Sequence, residues 1–255
     1  MDWSAGQYAK FEAERSRPAR DLLAAIERRS ALSAIDLGCG PGNSTELLQA
    51  RFPEARVIGI DSSPDMIAAA RLRLPGLEFC IADIAAWNRA ERYDVILANA
   101  SLQWLPDHAT LFPALLARLA PAGTLAVQMP DNLDEPSHAL MRTVAAEPAF
   151  AGRLADAARA RAPRHAPDWY FRLLSAAGAR ADVWRATYFH PMAGLDAVIE
   201  WLRGTGLRPF LAPLDADGQQ AFLDRYRTLL DGVFPALSGG GLLFPFPRLF
   251  LVAQL

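Results

Sequence analysis

Lysine is nearly missing from this chain: Lys10 is the only one among 26 basic residues, and arginine supplies the rest. With a formal net charge of -2 at pH 7 over 255 residues, the chain lacks the positive field that neutralises nucleic-acid phosphates. Nucleic acid is not an expected partner. The arginine excess reflects either genome composition or a demand for the planar, bidentate binder of carboxylates, and composition does not choose between them. Cysteine is equally scarce, and the two present, Cys39 and Cys80, form neither a disulfide framework nor a metal-ligand spacing. Both read as small buried thiols, and no metal is expected. Met1 to Arg20 is polar rather than an apolar signal core, and no run approaches the ~20 apolar residues of a membrane span. These absences predict a cytoplasmic protein with no membrane partner.

What is present is enough apolar surface for a full core, 52% hydrophobic against 21% charged. No linker divides the chain, so one domain over residues 1–255 is expected. Short β-rich runs alternate with helical stretches at Ser33–Leu37, Arg56–Ile60, Leu77–Ile81, Asp94–Ala98 and Gly123–Met129. This alternation predicts parallel strands with helical crossovers, and their near-continuous apolar character predicts helices on both faces. The fold class is α/β, with a doubly wound, mostly parallel sheet. Upstream, Pro18 should open a helix over Arg17–Arg29 that packs Leu22, Leu23 and Ile26 against the sheet edge. Downstream, Pro136–Ala160 and Asp168–Ala177 read as helices, Ala181–His190 as a strand, Leu195–Arg203 and Asp215–Gly232 as helices, and Phe246–Leu255 as a last strand. The expected organisation is a ligand-binding core over about residues 30–130, a portion over about 131–245 that includes a helical lid, and the final strand 246–255.

The segment Ala34–Thr45, A-I-D-L-G-C-G-P-G-N-S-T, joins a predicted strand to a predicted helix. Gly38, Gly40 and Gly42 let the backbone turn tightly and approach a ligand at the strand's carboxyl end. Asn43 stands where a dinucleotide fingerprint needs its third glycine or alanine, which demotes a dehydrogenase. The next strand ends in Asp61, placed for ribose hydroxyls, with Met66 on the following helix to face an adenine. Asp83 closes the third strand, suited to the adenine amino group. The alternative reading makes these acids strand-end caps and turn formers.

In order and spacing, D-L-G-C-G-P-G, I-D-S-S-P-D-M-I, A-D-I and N-A-S-L-Q-W-L resemble the class I methyltransferases. The resemblance implies a Rossmann-like core that binds S-adenosylmethionine and releases S-adenosylhomocysteine. Carried over by position, it sets Asp36, Gly38, Gly40 and Asn43 around the methionine part, Asp61 and Ser62 at the ribose and adenine edge, Asp83 and Ile84 at the adenine, and Asn99 near the sulfonium. The N-terminal D-W-S-A-G-Q-Y-A-K-F-E-A-E-R-S-R-P, together with V-Q-M-P-D-N, W-R-A-T-Y-F-H-P-M, G-T-G-L-R-P-F-L and F-P-R-L-F-L-V-A, looks like the trans-aconitate methyltransferases. That likeness covers nearly the whole chain and is weakest over residues 145–166. It implies a small polycarboxylate substrate.

A carboxylate acceptor is already ionised at neutral pH, its reference pKa being ~4, so methyl transfer to it needs no general base. The lack of a Ser/His/Asp set or a zinc pattern therefore fits catalysis by proximity and orientation. Tyr8, Phe11 and Trp104 are candidates for an aromatic, dry site, with core packing as their alternative. Arg208, in a turn bounded by Gly206 and Pro209, is the first choice for a carboxylate that is not methylated. Arg15 could clamp the methionine carboxylate, and Arg185 or Arg248 could serve the substrate. Tyr188 and His190 alternate on one strand face and could donate to the substrate, as could Tyr170 and His165. Two rival functions remain: methyl transfer to another small acid, a phenol or a carbon nucleophile, and a non-catalytic donor-binding module.

Overall fold

A computed structural model of the chain describes residues 12–87, 91–157 and 164–255, giving residues 12–15 as backbone only. Tyr8 and Phe11 lie outside the described residues, and of Arg15 only the backbone is described, within a helix. The chain divides into two compact units, one made of residues 1–130, 164–186 and 248–255, the other of residues 131–163 and 187–247.

In the first unit the elements run α1 (Glu12–Ala24), β1 (Ser33–Leu37), α2 (Asn43–Arg51), β2 (Arg56–Asp61), α3 (Pro64–Arg73) and β3 (Glu78–Ile81). They continue with β4 (Tyr93–Asn99), α4 (His108–Leu116), β5 (Leu119–Pro130) and α7 (Pro167–Ala176). The second unit holds α5 (Pro136–Ala145), α6 (Ala151–Leu154), α8 (Leu195–Arg203), α9 (Arg208–Leu211) and α10 (Ala216–Leu230). Two of the four unit boundaries fall inside the long strands β6 (Arg180–Met192) and β7 (Leu242–Gln254). The seven strands follow the order β3-β2-β1-β4-β5-β7-β6. Strands β1 to β5 pair in parallel, and β7 runs antiparallel to β5. This is the doubly wound, mostly parallel α/β sheet that the alternating pattern predicts.

One face of the sheet carries Ile35, Ile58, Ile96, Val127 and Leu251, packed with Phe112 and Leu115 of α4 and Leu174 of α7 in a single apolar core. At the amino end of β4, Asp94 accepts from Arg28 at 2.7 Å and from the Leu32 and Ser33 N–H groups at 2.7 and 3.1 Å. It fixes the entry of β1 and leaves the carboxyl ends of the strands to the loops.

Several boundaries differ from expectation. The first described helix, Glu12–Ala24, carries Pro18 inside it instead of opening at it, because strong helix formers precede the proline. It packs on α2 and β5 rather than at the sheet edge, whose strands are β3 and β6. The helix expected over Pro136–Ala160 stops at Ala145, since Pro148 disfavours helical backbone at the residue before it; residues 158–160 lie outside the described residues. Strand β7 begins at Leu242, upstream of Phe246, and tolerates Pro245 and Pro247 because its pairing with β5 starts only at Arg248.

Within the second unit, Phe222 stacks on Phe210 and Tyr226 and meets Phe150 edge-on, and Tyr226 Oη donates to the Ser137 carbonyl at 2.6 Å, tying α10 to α5. Burial pushes the Tyr226 phenol above its ordinary pKa.

Candidate active site

The turn after β1 is built by three glycines in left-handed backbone, Gly38, Gly40 and Gly42, with φ of 73°, 53° and 93°. At Gly38 the constraint is also steric: a Cβ there would lie 2.4 Å from Ser101 Cβ. The loop is held from the next strand, because Gly38 and Cys39 N–H donate to the Ile60 carbonyl at 2.8 and 2.9 Å. Asp61, ending β2, takes the Gly40 N–H on Oδ2 at 3.0 Å and the Ser63 N–H on Oδ1 at 2.9 Å. A carboxylate oxygen accepts more than one donor, so Asp61 retains capacity for hydroxyls. Ser62 beside it is exposed.

Asp36, fully buried on β1, accepts both the Ser44 and the Thr45 hydroxyl on Oδ2 at 2.7 Å. Its Oδ1 has no partner among the described residues, nor has Asn43 Oδ1 at the first position of α2. Desolvation outweighs the two hydroxyls and pushes Asp36 up to about 6, helped by the Asp61 charge. Burial, then the Asp36 and Asp61 carboxylates, push the Cys39 thiol far above its usual range, so it stays protonated and inert. Cys80 is half-buried rather than buried, and both cysteines are free.

Met66 is buried on α3, its N–H directed to Ser63 Oγ at 3.4 Å. Asp83 lies two residues past β3, where its Oδ1 caps a 3-10 turn at the Ala85 N–H, 2.9 Å away, and Ile84 opens that turn half-buried. Asn99 ends β4, and the next residue, Ala100, sits at φ 55°, a costly conformation for a side-chain-bearing residue. Ala100 is held there by its N–H on the Gln128 carbonyl at 2.8 Å and its carbonyl on Gln103 Nε2 at 2.6 Å. Trp104 closes the following 3-10 turn half-buried. Ser101, Gln103 and Gln128 are not apparent as site residues from the sequence; for Ser101 and Gln103 the strand-end position of N-A-S-L-Q-W is the one signal, and Gln128, inside the apolar strand V-Q-M-P, has none.

Tyr170 is fully buried and meets His108 Nδ1 at 2.6 Å, while His108 Nε2 meets the Leu102 carbonyl at 3.0 Å. His165 stacks on Trp169 at 3.6 Å in the same aromatic group. Arg185 is exposed on β6, and Arg248 is buried on β7 with Nη1 on Gln128 Oε1 at 3.1 Å. In the second unit, Tyr188 and His190 are buried, their rings 6.5 Å apart and nearly parallel, with His190 4.7 Å from Trp201. Arg208 opens α9 half-buried. Gly206 before it is required by close approach, since a Cβ would come within 2.8 Å of His138 Nε2.

A family model described as a methyltransferase domain matches residues 34–123. A trans-aconitate 2-methyltransferase of Methylobacterium nodulans is 56% identical over 253 residues, covering 99% of this chain and 98% of that protein. The enzyme of the same name from Yersinia pestis is 52% identical over 254 residues, 100% of this chain and 98% of its own length. Among solved structures, the YcgJ protein of Bacillus subtilis superposes with a TM-score of 0.60 at 13% identity, over 93% of this chain and 98% of that one. Phosphoethanolamine N-methyltransferase 2 of Haemonchus contortus, in complex with S-adenosyl-L-methionine, gives 0.55 at 15% identity over 93% and 52%. These two likenesses concern the fold.

Proposed function

The chain belongs to the trans-aconitate 2-methyltransferases, and from that premise we propose that it moves the methyl group of S-adenosylmethionine to a carboxylate of trans-aconitate, giving a monomethyl ester and S-adenosylhomocysteine. The observation that carries the donor half is the glycine loop pinned by Asp61, with the Oδ1 atoms of Asp36 and Asn43, which have no partner among the described residues. A cationic amino acid with a nucleoside suits this set: carboxylates for ammonium and ribose hydroxyls, and the amino end of α2 for a carboxylate. Gly38, Gly40, Ser62, Met66, Asp83, Ile84 and Asn99 complete the proposed donor contacts, with Tyr8 and Arg15 from the N-terminal segment.

The donor supplies an electrophilic methyl group, and the chain's task is alignment. The acceptor carboxylate is ionised without help, so the residues need only hold it, exclude water and keep competing nucleophiles away. Cys39 is no such nucleophile, being held as a neutral thiol. Trp104 is proposed to face the reacting groups. Arg208, Tyr188, His190 and Tyr170 are proposed on the acceptor side, with Arg208 pairing with a carboxylate that is not methylated. The reading invokes no metal, nucleic acid or membrane. Among the described residues no helix is long and apolar enough to cross a membrane, and the two free cysteines support a cytoplasmic setting.

Incubation with S-adenosylmethionine and a panel of small polycarboxylates, phenols and carbon acids tests the proposal. A base-labile monomethyl ester formed fastest from trans-aconitate is expected. An alkali-stable ether or C-methyl product as the preferred one would refute it.

A further inference from the structure

Three register pairs align one row of polar residues across the sheet. Asp36 pairs with Leu97, Asn99 with Gln128, and Pro130 with Arg248. Side chains two residues apart on a strand share a face, and register neighbours share it too. Asp36, Asn99, Gln128 and Arg248 therefore lie on the same face, opposite the apolar core, at the carboxyl ends of the parallel strands β1, β4 and β5. In open α/β sheets this is where ligands bind.

Gln128 is the informative member. It is fully buried in the middle of the sheet, where the surrounding pattern is apolar. Its amide orientation is fixed by chemistry: Arg248 Nη1, 3.1 Å away, only donates, so the atom it meets is Oε1. Nε2 then points its two N–H groups elsewhere, and among the described residues nothing accepts them. Leaving such a donor buried and unmade costs free energy comparable to a lost hydrogen bond, so a partner from outside the chain is called for. Two amide donors beside a guanidinium form a receptor for an anion with two oxygens in one plane, which is a carboxylate.

We propose that Gln128, with Arg248 bonded behind it, is an acceptor-binding residue that holds one unmethylated carboxylate of the substrate. The inference rests on the carboxylate acceptor argued above and deepens it, because a tricarboxylate keeps two carboxylates that must be steered away from the donor. Gln128 donates to the carboxylate while its carbonyl keeps the arginine in place. Specificity follows, since an acceptor lacking that carboxylate leaves the amide unmade again.

The test uses Gln128→Glu and Gln128→Leu in the full chain, with two readouts: trans-aconitate binding to the protein loaded with S-adenosylhomocysteine, by calorimetry, and methyl-transfer kinetics. Gln128→Glu keeps the shape and gives Arg248 a carboxylate, so the fold should hold while the new charge repels the substrate. Trans-aconitate affinity should fall about 100-fold in Gln128→Glu and about 10-fold in Gln128→Leu. KM should rise in parallel, with S-adenosylhomocysteine affinity unchanged. A Gln128→Glu protein that melts like wild type and binds trans-aconitate equally well overturns the inference, as does a wild type that does not bind it. A Gln128→Leu variant that loses melting temperature with unchanged KM marks Gln128 as a core residue only and also overturns it. If wild type binds trans-aconitate through Gln128 yet forms no ester, the site stands and the proposed reaction falls.

Discussion

Asp61 Oδ2 accepts the Gly40 N–H at 3.0 Å, so the carboxylate that closes β2 also sets the path of the loop that closes β1. The residue proposed to hold the ribose thus shapes the cradle for the methionine part as well. Asp61→Ala should weaken S-adenosylhomocysteine binding by about 1.5–3 kcal/mol, the range for hydrogen bonds to a charged group, measured by calorimetry. Asp61→Asn, which can still accept the Gly40 N–H, should lose less. Equal affinity in wild type and Asp61→Ala would remove Asp61 from the donor site.

Gly38 offers a steric test of the same loop. Gly38→Ala meets Ser101 Cβ at 2.4 Å and must also adopt φ 73°. A loss of about 2–4 kcal/mol in urea unfolding is expected. Adding Ser101→Gly removes the overlap but not the backbone strain, so the double variant should recover part of the loss. Strict additivity of the two substitutions would show that the contact does not constrain the loop.

The buried Asp36 makes stability depend on pH in a direction opposite to the usual carboxylate. Its pKa rises from 3.8 to about 6 on folding, so the folded chain binds the extra proton between those values. The stability from this group is fully present below 3.8 and is lost as pH rises through about 6. Asp36→Asn keeps an acceptor for Ser44 and Thr45 without the charge. Its stability relative to wild type should grow by about 3 kcal/mol between acid and neutral pH. A difference that stays constant with pH would contradict the burial argument.

His108 acts the other way. A carbonyl only accepts, so Nε2 carries the proton toward Leu102, and the Tyr170 hydroxyl donates to Nδ1. Burial lowers the His108 pKa from its ordinary 6.5, so the unfolded chain takes up the proton first as pH falls. This contribution is complete above about 6.5 and is lost as pH falls below it. His108→Gln should be less sensitive to acid than wild type over that window, read as melting temperature against pH. A resonance of His108 titrating above its unfolded value would reverse the sign and refute the argument that burial disfavours its charged form.

Much of the core was legible because its signals are local. Ser33–Leu37 and Leu195–Arg203 match the observed elements end for end, the first from its β-rich run before a glycine loop, the second from its apolar face. Pro18 misled because a proline opens helices often but is also accommodated inside one when the residues before it favour helix. Asp36 was legible as a motif residue but not as the acceptor of two hydroxyls, since Ser44 and Thr45 read only as the start of a helix. Gln128 was invisible for a different reason. Within V-Q-M-P a single glutamine reads as an interrupted apolar strand, and its significance comes from β7, which arrives 120 residues later to place Arg248 on its carbonyl.

The central claim, that the acceptor is a carboxylate needing no base, is tested most directly by the single-turnover rate of trans-aconitate methylation as a function of pH. With donor and acceptor saturating, the rate should be level from neutrality upward, because the nucleophile is already ionised with a pKa near ~4. A rate that climbs about tenfold per pH unit to a plateau set by one enzyme group near ~7 would contradict it, and would point to an acceptor whose proton must first be taken by a base.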